Sequence, residues 1–259
     1  MTDTASGRGP GSMVSSGDAD VSSTVLDDPV GESLRGHHAH LARRVGGTAA
    51  YLPEVATFAA VLLEPTPSDW ADLAALLGPG ELADLFSASV EPPADWAPVF
   101  SLEGVQMVAD PRAPAGGVPV AADVVELGPA DVADMLALTG VTRPGPFWSR
   151  TDELGTYWGV RENGVLVAMA GERLRPPGWT EISAVSTAPQ ARGRGLASAL
   201  VRTAMRHVVD RGERPFLHVA AENSGAIALY ERLGFEVRRR VRFHGHRTPG
   251  GTPEALVRP

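Results

Sequence analysis

Residues 181–235 read EISAVSTAPQARGRGLASALVRTAMRHVVDRGERPFLHVAAENSGAIALYERLGF. An apolar strand runs into a glycine-rich turn, a long amphipathic helix, a second strand and a second helix. Leu196, Ala199, Leu200, Thr203, Ala204 and Val208 recur at helical spacing and form one apolar stripe, while Arg202, Arg206 and Arg211 stay off it. Gly212 stops the helix. Between strand and helix, Arg192-Gly193-Arg194-Gly195-Leu196-Ala197 offers successive backbone N–H groups with little side chain in the way. Such a turn at a helix N-terminus is a cradle for phosphate.

The bland alternative is a strand-to-helix turn with no ligand. A dinucleotide fingerprint begins with Gly193-x-Gly195, but Ser198 stands where its third small residue belongs, and the Gly-Lys-Ser/Thr of a P-loop is missing. The stretch Val185 to Ala197, with Gln190-Ala-Arg-Gly193-Arg-Gly195 inside it, resembles motif A of the GNAT N-acetyltransferase superfamily. That motif is Arg or Gln, two residues, Gly, one residue, then Gly or Ala. Asn223 to Phe235 resembles motif B of the same superfamily, at the expected spacing. The resemblance covers roughly residues 120 to 247, about half the chain, and points toward the glycine-N-acyltransferase-like branch.

The resemblance implies an α/β (α+β) fold, a mixed central sheet flanked by helices, with acetyl-CoA as cosubstrate and no metal. Its pyrophosphate would lie on the amides of Arg192, Gly193, Arg194, Gly195, Leu196, Ala197 and Ser198, with the two guanidinium groups adding charge. The pantetheine arm would run along Ala184, Val185, Ser186 and Thr187, where the superfamily's strands splay apart and a ligand completes the backbone pairing. Asn223 and Ala226 would border the same arm. Asn223 also reads as a helix N-cap, and both roles are compatible.

Two side chains carry the chemistry under this resemblance. Glu181 stands eleven residues before Arg192, the spacing at which histone-acetylating members carry a general-base glutamate; a surface glutamate on a strand is the rival reading. By period two, Glu181, Ser183 and Val185 share one strand face. A lysine-like amine needs about 4.6 kcal/mol to be neutral at pH 7, an α-amino group only about 1.4. A direct base therefore matters more for the first, and Glu181 is expected in an apolar setting or beside a relay water. Glu172 and Glu222 are second choices. Tyr230 matches the tyrosine that protonates the departing sulfur; otherwise it is a core aromatic on the Ala226, Leu229, Leu233 face.

Outward from this segment, Met1 to Asp27 is rich in Gly, Ser, Thr and Asp and reads as a disordered tail. Residues 28–110 form an N-terminal α/β lobe, 111–117 a linker, and 118–259 the acetyltransferase domain. Within the lobe, Glu32 to Val45 reads as a short helix whose His37, His38 and His40 lie on a solvated face rather than around a metal. Strands are expected within Thr48–Leu63, a helix from Pro67 to Leu77, a second helix from Glu81 to Ala88, and one or two strands from Trp96 to Ala109. The lobe is either a degenerate GNAT-like half or an unrelated cap; element order favours the former. In the second half, Val118 to Leu127 reads as a strand, Pro129 opens a helix, and Glu162-Asn163-Gly164 turns a hairpin between Thr156–Arg161 and Val165–Leu174. Phe147 and Trp148 are substrate contacts or core.

Composition bounds the rest. The chain has 259 residues and no cysteine, which excludes disulfides, thiolate metal sites and a thiol nucleophile, so acyl transfer would be direct from thioester to amine in a ternary complex. The net charge of -8 disfavours nucleic acid and, with it, a reading as aminoacyl transfer from charged transfer RNA. The absence of a membrane-spanning apolar run or a secretory signal makes a cytoplasmic protein the expectation. The acceptor is expected to be a small-molecule or peptide amine, and a homodimer is one assembly the resemblance admits. A non-catalytic acyl-CoA-binding sensor is the reading from another class.

Overall fold

The computed structural model describes residues 23–109 and 123–250. Eleven strands are present among them: β1 Ala42–Val45, β2 Thr48–Tyr51, β3 Ala59–Ala60, β4 Leu82–Phe86, β5 Ala97–Ala109, β6 Val124–Leu127, β7 Tyr157–Glu162, β8 Val165–Glu172, β9 Trp179–Thr187, β10 Arg214–Ala220 and β11 Phe235–Arg247. The α-helices are α1 Pro29–Arg35, α2 Pro67–Leu77, α3 Val132–Thr142, α4 Leu196–Asp210 and α5 Ser224–Arg232.

Local chemistry accounts for several boundaries. Thr66 caps α2, taking the Asp69 N–H on its hydroxyl while the Asp69 carboxylate takes the Thr66 N–H, and Pro67 follows as the first helical residue. Asn163 and Gly164 both adopt positive φ, which matches the hairpin twist between β7 and β8. The apolar stripe of α4 is buried at Leu196, Ala199, Leu200, Val201, Ala204, Met205 and Val208. It packs with α3 in one core that includes Met169 and Ile182 of the sheet.

Strands β1, β2 and β3 make a small sheet, and the other eight form one sheet in the order β4-β11-β5-β10-β9-β8-β7-β6. Only β9 and β10 run parallel within it; the other pairs are antiparallel. The mixed sheet matches the α/β expectation. Its composition does not follow the expected lobes, because β5 lies between β10 and β11 and β4 closes the edge beyond β11. A division at residue 110 therefore cuts through the sheet rather than between two sheets. The small sheet and α1 cover the large one through a second core, where Leu26, Val30, Leu34, Tyr51 and Phe58 meet Leu174, Trp179 and Phe216.

Other differences are local. The segment expected as a helix over Glu81–Ala88 is strand β4, because cross-strand pairing with β11 from Leu82 to Phe86 overrides its helix-forming residues. Glu32 to Val45 is not one helix: α1 ends at Arg35, a 3-10 turn follows at Ala39–Leu41, and β1 begins at Ala42. His38 is buried, with its ring bridging the Tyr51 hydroxyl at 2.8 Å and the Leu154 carbonyl at 3.0 Å, so it is not on a solvated face. Thr24–Asp27, expected within the tail, form a 3-10 turn with Leu26 fully buried. The rest of that tail, the linker at 111–117 and the start of the Val118–Leu127 strand lie outside the described residues.

Candidate active site

The pairing between β9 and β10 is short. It joins Trp179, Thr180 and Glu181 to Arg214, Pro215 and Phe216, then ends. Past that point β10 still pairs with β5 as far as Ala220, and β9 still pairs with β8 as far as Thr187. The two parallel strands thus part company while each keeps its other neighbour, and a wedge opens between residues 182–187 and 217–220. The β9 side of the wedge carries a bulge. Register jumps from Ser183 opposite Gly171 to Ser186 opposite Met169, and Ala184 sits at φ +53. An extra residue at this place turns backbone groups out of the ladder.

The bulge also undoes the period-two expectation, because side-chain alternation along β9 is not continuous from Glu181 to Val185. Ala184 and Val185 pack instead in the same apolar cluster as Tyr230 and Ala226 of α5 and Val219 of β10. Tyr230 is 8% exposed, its ring 6.0 Å from that of Phe235, and burial pushes its hydroxyl up to about 12. It stays protonated at neutral pH and can donate. At the head of α5, the Asn223 side chain accepts the Ala226 N–H at 3.1 Å, which is the expected N-cap.

Beyond β9 the chain makes a 3-10 turn at Pro189–Ala191 and enters α4 through two glycines in the left-handed region, Gly193 at φ +76 and Gly195 at φ +78. Among the described residues, the amides of Gly193 to Ser198 find no backbone acceptor, the first such bond of the helix being Ala199 N–H to the Gly195 carbonyl. No atom lies within 4 Å of the place a Gly193 side chain would take, and Gly193 and Gly195 are both exposed. The two arginines are turned elsewhere. Arg192 donates to the Thr187 carbonyl at 3.2 Å, and Arg194 pairs with Glu162 at 2.5 Å.

Glu181 is placed differently from expectation. It is 0% exposed, and its carboxylate takes two bonds from the Arg173 guanidinium, at 2.6 and 2.9 Å, and a third contact from His218 Nδ1 at 2.7 Å. Burial alone would raise its pKa, but the Arg173 charge, followed by His218, outweighs burial and holds it at about 2. The raised value wanted for a general base is the opposite of what these neighbours produce. Arg173, 11% exposed, lies over the Phe86 ring at 4.4 Å. His218 is 1% exposed and is kept neutral chiefly by burial. With Nδ1–H given to Glu181, its Nε2 accepts from Gln106 at 3.1 Å and Ser87 at 3.2 Å. Gln106 in turn takes a bond from Arg238.

Of the second choices, Glu172 is also buried and ion-paired, to Arg211 at 2.7 Å, whereas Glu222 is exposed. Phe147 borders a small cavity beside the bulge with Thr151, Tyr157, Arg173, Ser183 and Ala184. Trp148 does not line it. Sequence reading missed Arg173 and His218. The available signal was ionisable residues inside two apolar strand runs, Glu172 and Arg173 in VLVAMAGERL and His218 in PFLHVA, since a buried ionisable group demands a partner.

Comparison with known proteins adds independent observations. The FR47-like protein family profile matches residues 157–243. A mycothiol acetyltransferase from Corynebacterium efficiens is 40% identical over 89 residues, which take in 31% of this chain and 30% of that protein. One from Mycobacteroides abscessus is 32% identical over 114 residues, 42% of this chain and 35% of the other. The chain thus aligns with only about a third of the length of these relatives. Among solved structures, a GNAT-family protein from Novosphingobium aromaticivorans is 40% identical, covers 88% of this chain and 99% of its own, and superposes with a TM-score of 0.76. A GCN5-related N-acetyltransferase from Kribbella flavida, at 19% identity and a TM-score of 0.58 over 87% of this chain and 96% of its own, shares the fold.

Proposed function

This chain belongs to the GNAT family, and from that premise we propose that it is an N-acetyltransferase that moves an acetyl group from acetyl-CoA to an amine. The observation that carries the proposal is the wedge between β9 and β10, with the left-handed glycine turn at its end and Tyr230 in its wall.

The residues fit an acyl coenzyme A. The free amides of residues 193–198 suit a pyrophosphate, because N–H groups and the helix dipole both favour anions there. The edge of β9 from Ala184 to Thr187 suits the amides of a pantetheine arm, which would pair as an added strand. The bulge at Ala184 offers N–H groups to a thioester carbonyl, where stabilising negative charge lowers the barrier. The coenzyme supplies an activated acyl group. Tyr230 is assigned the proton for the departing sulfur, on the strength of its buried, protonated hydroxyl.

Glu181 takes a different part. A carboxylate already holding an arginine and a histidine is a positioning group, fixing Arg173 beside the cavity and locking the point where the strands separate. Among the described residues no carboxylate lines the cavity beside the bulge, so the acceptor amine is expected to lose its proton to water. That favours amines of low pKa, α-amino groups among them, over lysine-like ones.

Calorimetric titration with coenzyme A and thiol release from acetyl-CoA across a panel of amines test this reading. Binding together with amine-dependent release is expected. Binding without release under any amine would make the protein an acyl-CoA sensor, and no binding would end both.

A further inference from the structure

Far across the sheet from the wedge, β11 carries Arg242, His244 and His246 on alternate positions. By strand order β11 is three neighbours from β9, about 14 Å at ordinary strand spacing. His244 is 1% exposed, and neither of its ring nitrogens makes a hydrogen bond of ordinary geometry, although the Ala88 backbone lies close enough to favour its charged form; the Nδ1 of His246 is likewise buried and unpartnered. Their rings stand nearly perpendicular, centroids 5.3 Å apart. Glu91, from the loop before β5, approaches the same spot, where its carboxylate contacts the Arg242 guanidinium. One ligand atom from each of Glu91, His244 and His246 lies within 4.8 Å of the others. They border a cavity of about 360 Å³ that also touches Phe100 and Ser101.

Three imidazole nitrogens buried without a hydrogen bond of ordinary geometry require an explanation, since an unmet buried polar group destabilises by about 1–3 kcal/mol. We propose that Glu91, His244 and His246 form a binding site for a divalent transition-metal ion of the zinc class, with an exchangeable ligand position facing the cavity. Two imidazoles and one carboxylate suit zinc and its neighbours, whereas magnesium and calcium take oxygen donors. A tetrahedral zinc site separates neighbouring donors by about 3.3 Å, so side-chain movements of up to about 1.5 Å close the present spacing. Three protein ligands leave the fourth position open, and the cavity gives a water or an anionic small molecule room to take it. Arg242 is the internal competitor, holding Glu91 when no ion does. The site is independent of the coenzyme wedge.

The test uses the full chain without a histidine tag, stripped by chelator and titrated with zinc chloride by calorimetry, with cobalt(II) absorption as a second readout. One saturable zinc per chain is expected, with the intense visible bands of low-coordinate cobalt. Glu91→Gln, at an exposed position, should weaken zinc by about tenfold or more, and His246→Ala should abolish saturable binding. Arg242→Gln should tighten it, by releasing Glu91 and removing a positive charge. Circular dichroism checks that each variant folds. Absence of saturable binding in the wild type overturns the proposal, as does affinity unchanged in both Glu91→Gln and His246→Ala.

Discussion

The two halves of β9 behave as different materials. From Trp179 to Glu181 the strand is paired with β10 and buried, Glu181 also exchanging backbone bonds with Arg173 and Leu174, and it ends in a buried knot of Arg173, Glu181 and His218. From Ile182 to Thr187 the β10 side is unpaired, and a bulge breaks the other. Glu181 faces Phe216 in the last pair, and the His218 ring on β10 reaches back to Glu181 just where the strands separate. A ligand slot in a sheet needs a fixed vertex, or the two strands would simply zip together or drift. Here the rigid half supplies it.

The sharpest way to break this contrast is to remove the knot. Glu181→Ala leaves a buried guanidinium uncompensated and is expected to lower unfolding stability by about 3–5 kcal/mol in urea denaturation followed by tryptophan fluorescence. A loss below about 1 kcal/mol would show that the vertex is held by something else. Acid should do in part what the mutation does. The folded pKa of Glu181, about 2, lies under the ordinary 4.5, so its contribution is whole above about pH 4.5 and is lost as pH falls toward 2. Thermal unfolding from pH 6 to 2 should report this loss in the wild type and a shallower one in Glu181→Gln.

The open half should respond in function instead of stability. Tyr230→Phe is expected to lower kcat by about a hundredfold while leaving the melting temperature nearly unchanged. An equal loss in both would mean that the ring, and not its hydroxyl, is what matters. Gly193→Ala meets no neighbouring atom, so left-handed strain alone acts on it, about 1–2 kcal/mol, read as a raised KM for the coenzyme. The smallest effect is expected from Asn223→Ala, about 1 kcal/mol of stability from the lost cap, with Asn223→Ser restoring most of it in thermal melts.

The glycine turn, the helix it opens and the start of α5 are readable because they follow from local rules: small residues at the turn, periodicity for the α4 stripe, a side-chain cap at Asn223. Glu181 was found by spacing but assigned the wrong surroundings. Its partners Arg173 and His218 lie 8 and 37 residues away, and no local pattern announces that they converge. The Ala184 bulge was invisible for a related reason, since AVST reads as plain strand and only the register against β8 exposes the extra residue. Strand β4 failed through propensity, and the place of β5 failed because sheet order is a property of the whole chain.

The placement of β5 has a kinetic corollary. Residues 97–109 cannot complete their pairing until residues 214–247 exist, so this strand must wait on the ribosome with unsatisfied edges. Emerging residues 124–220 alone would hold β10 with one flank bare. The second half is therefore not a transplantable module. A fragment starting at residue 118 should collapse or self-associate, and adding back residues 23–109 in trans should rescue it.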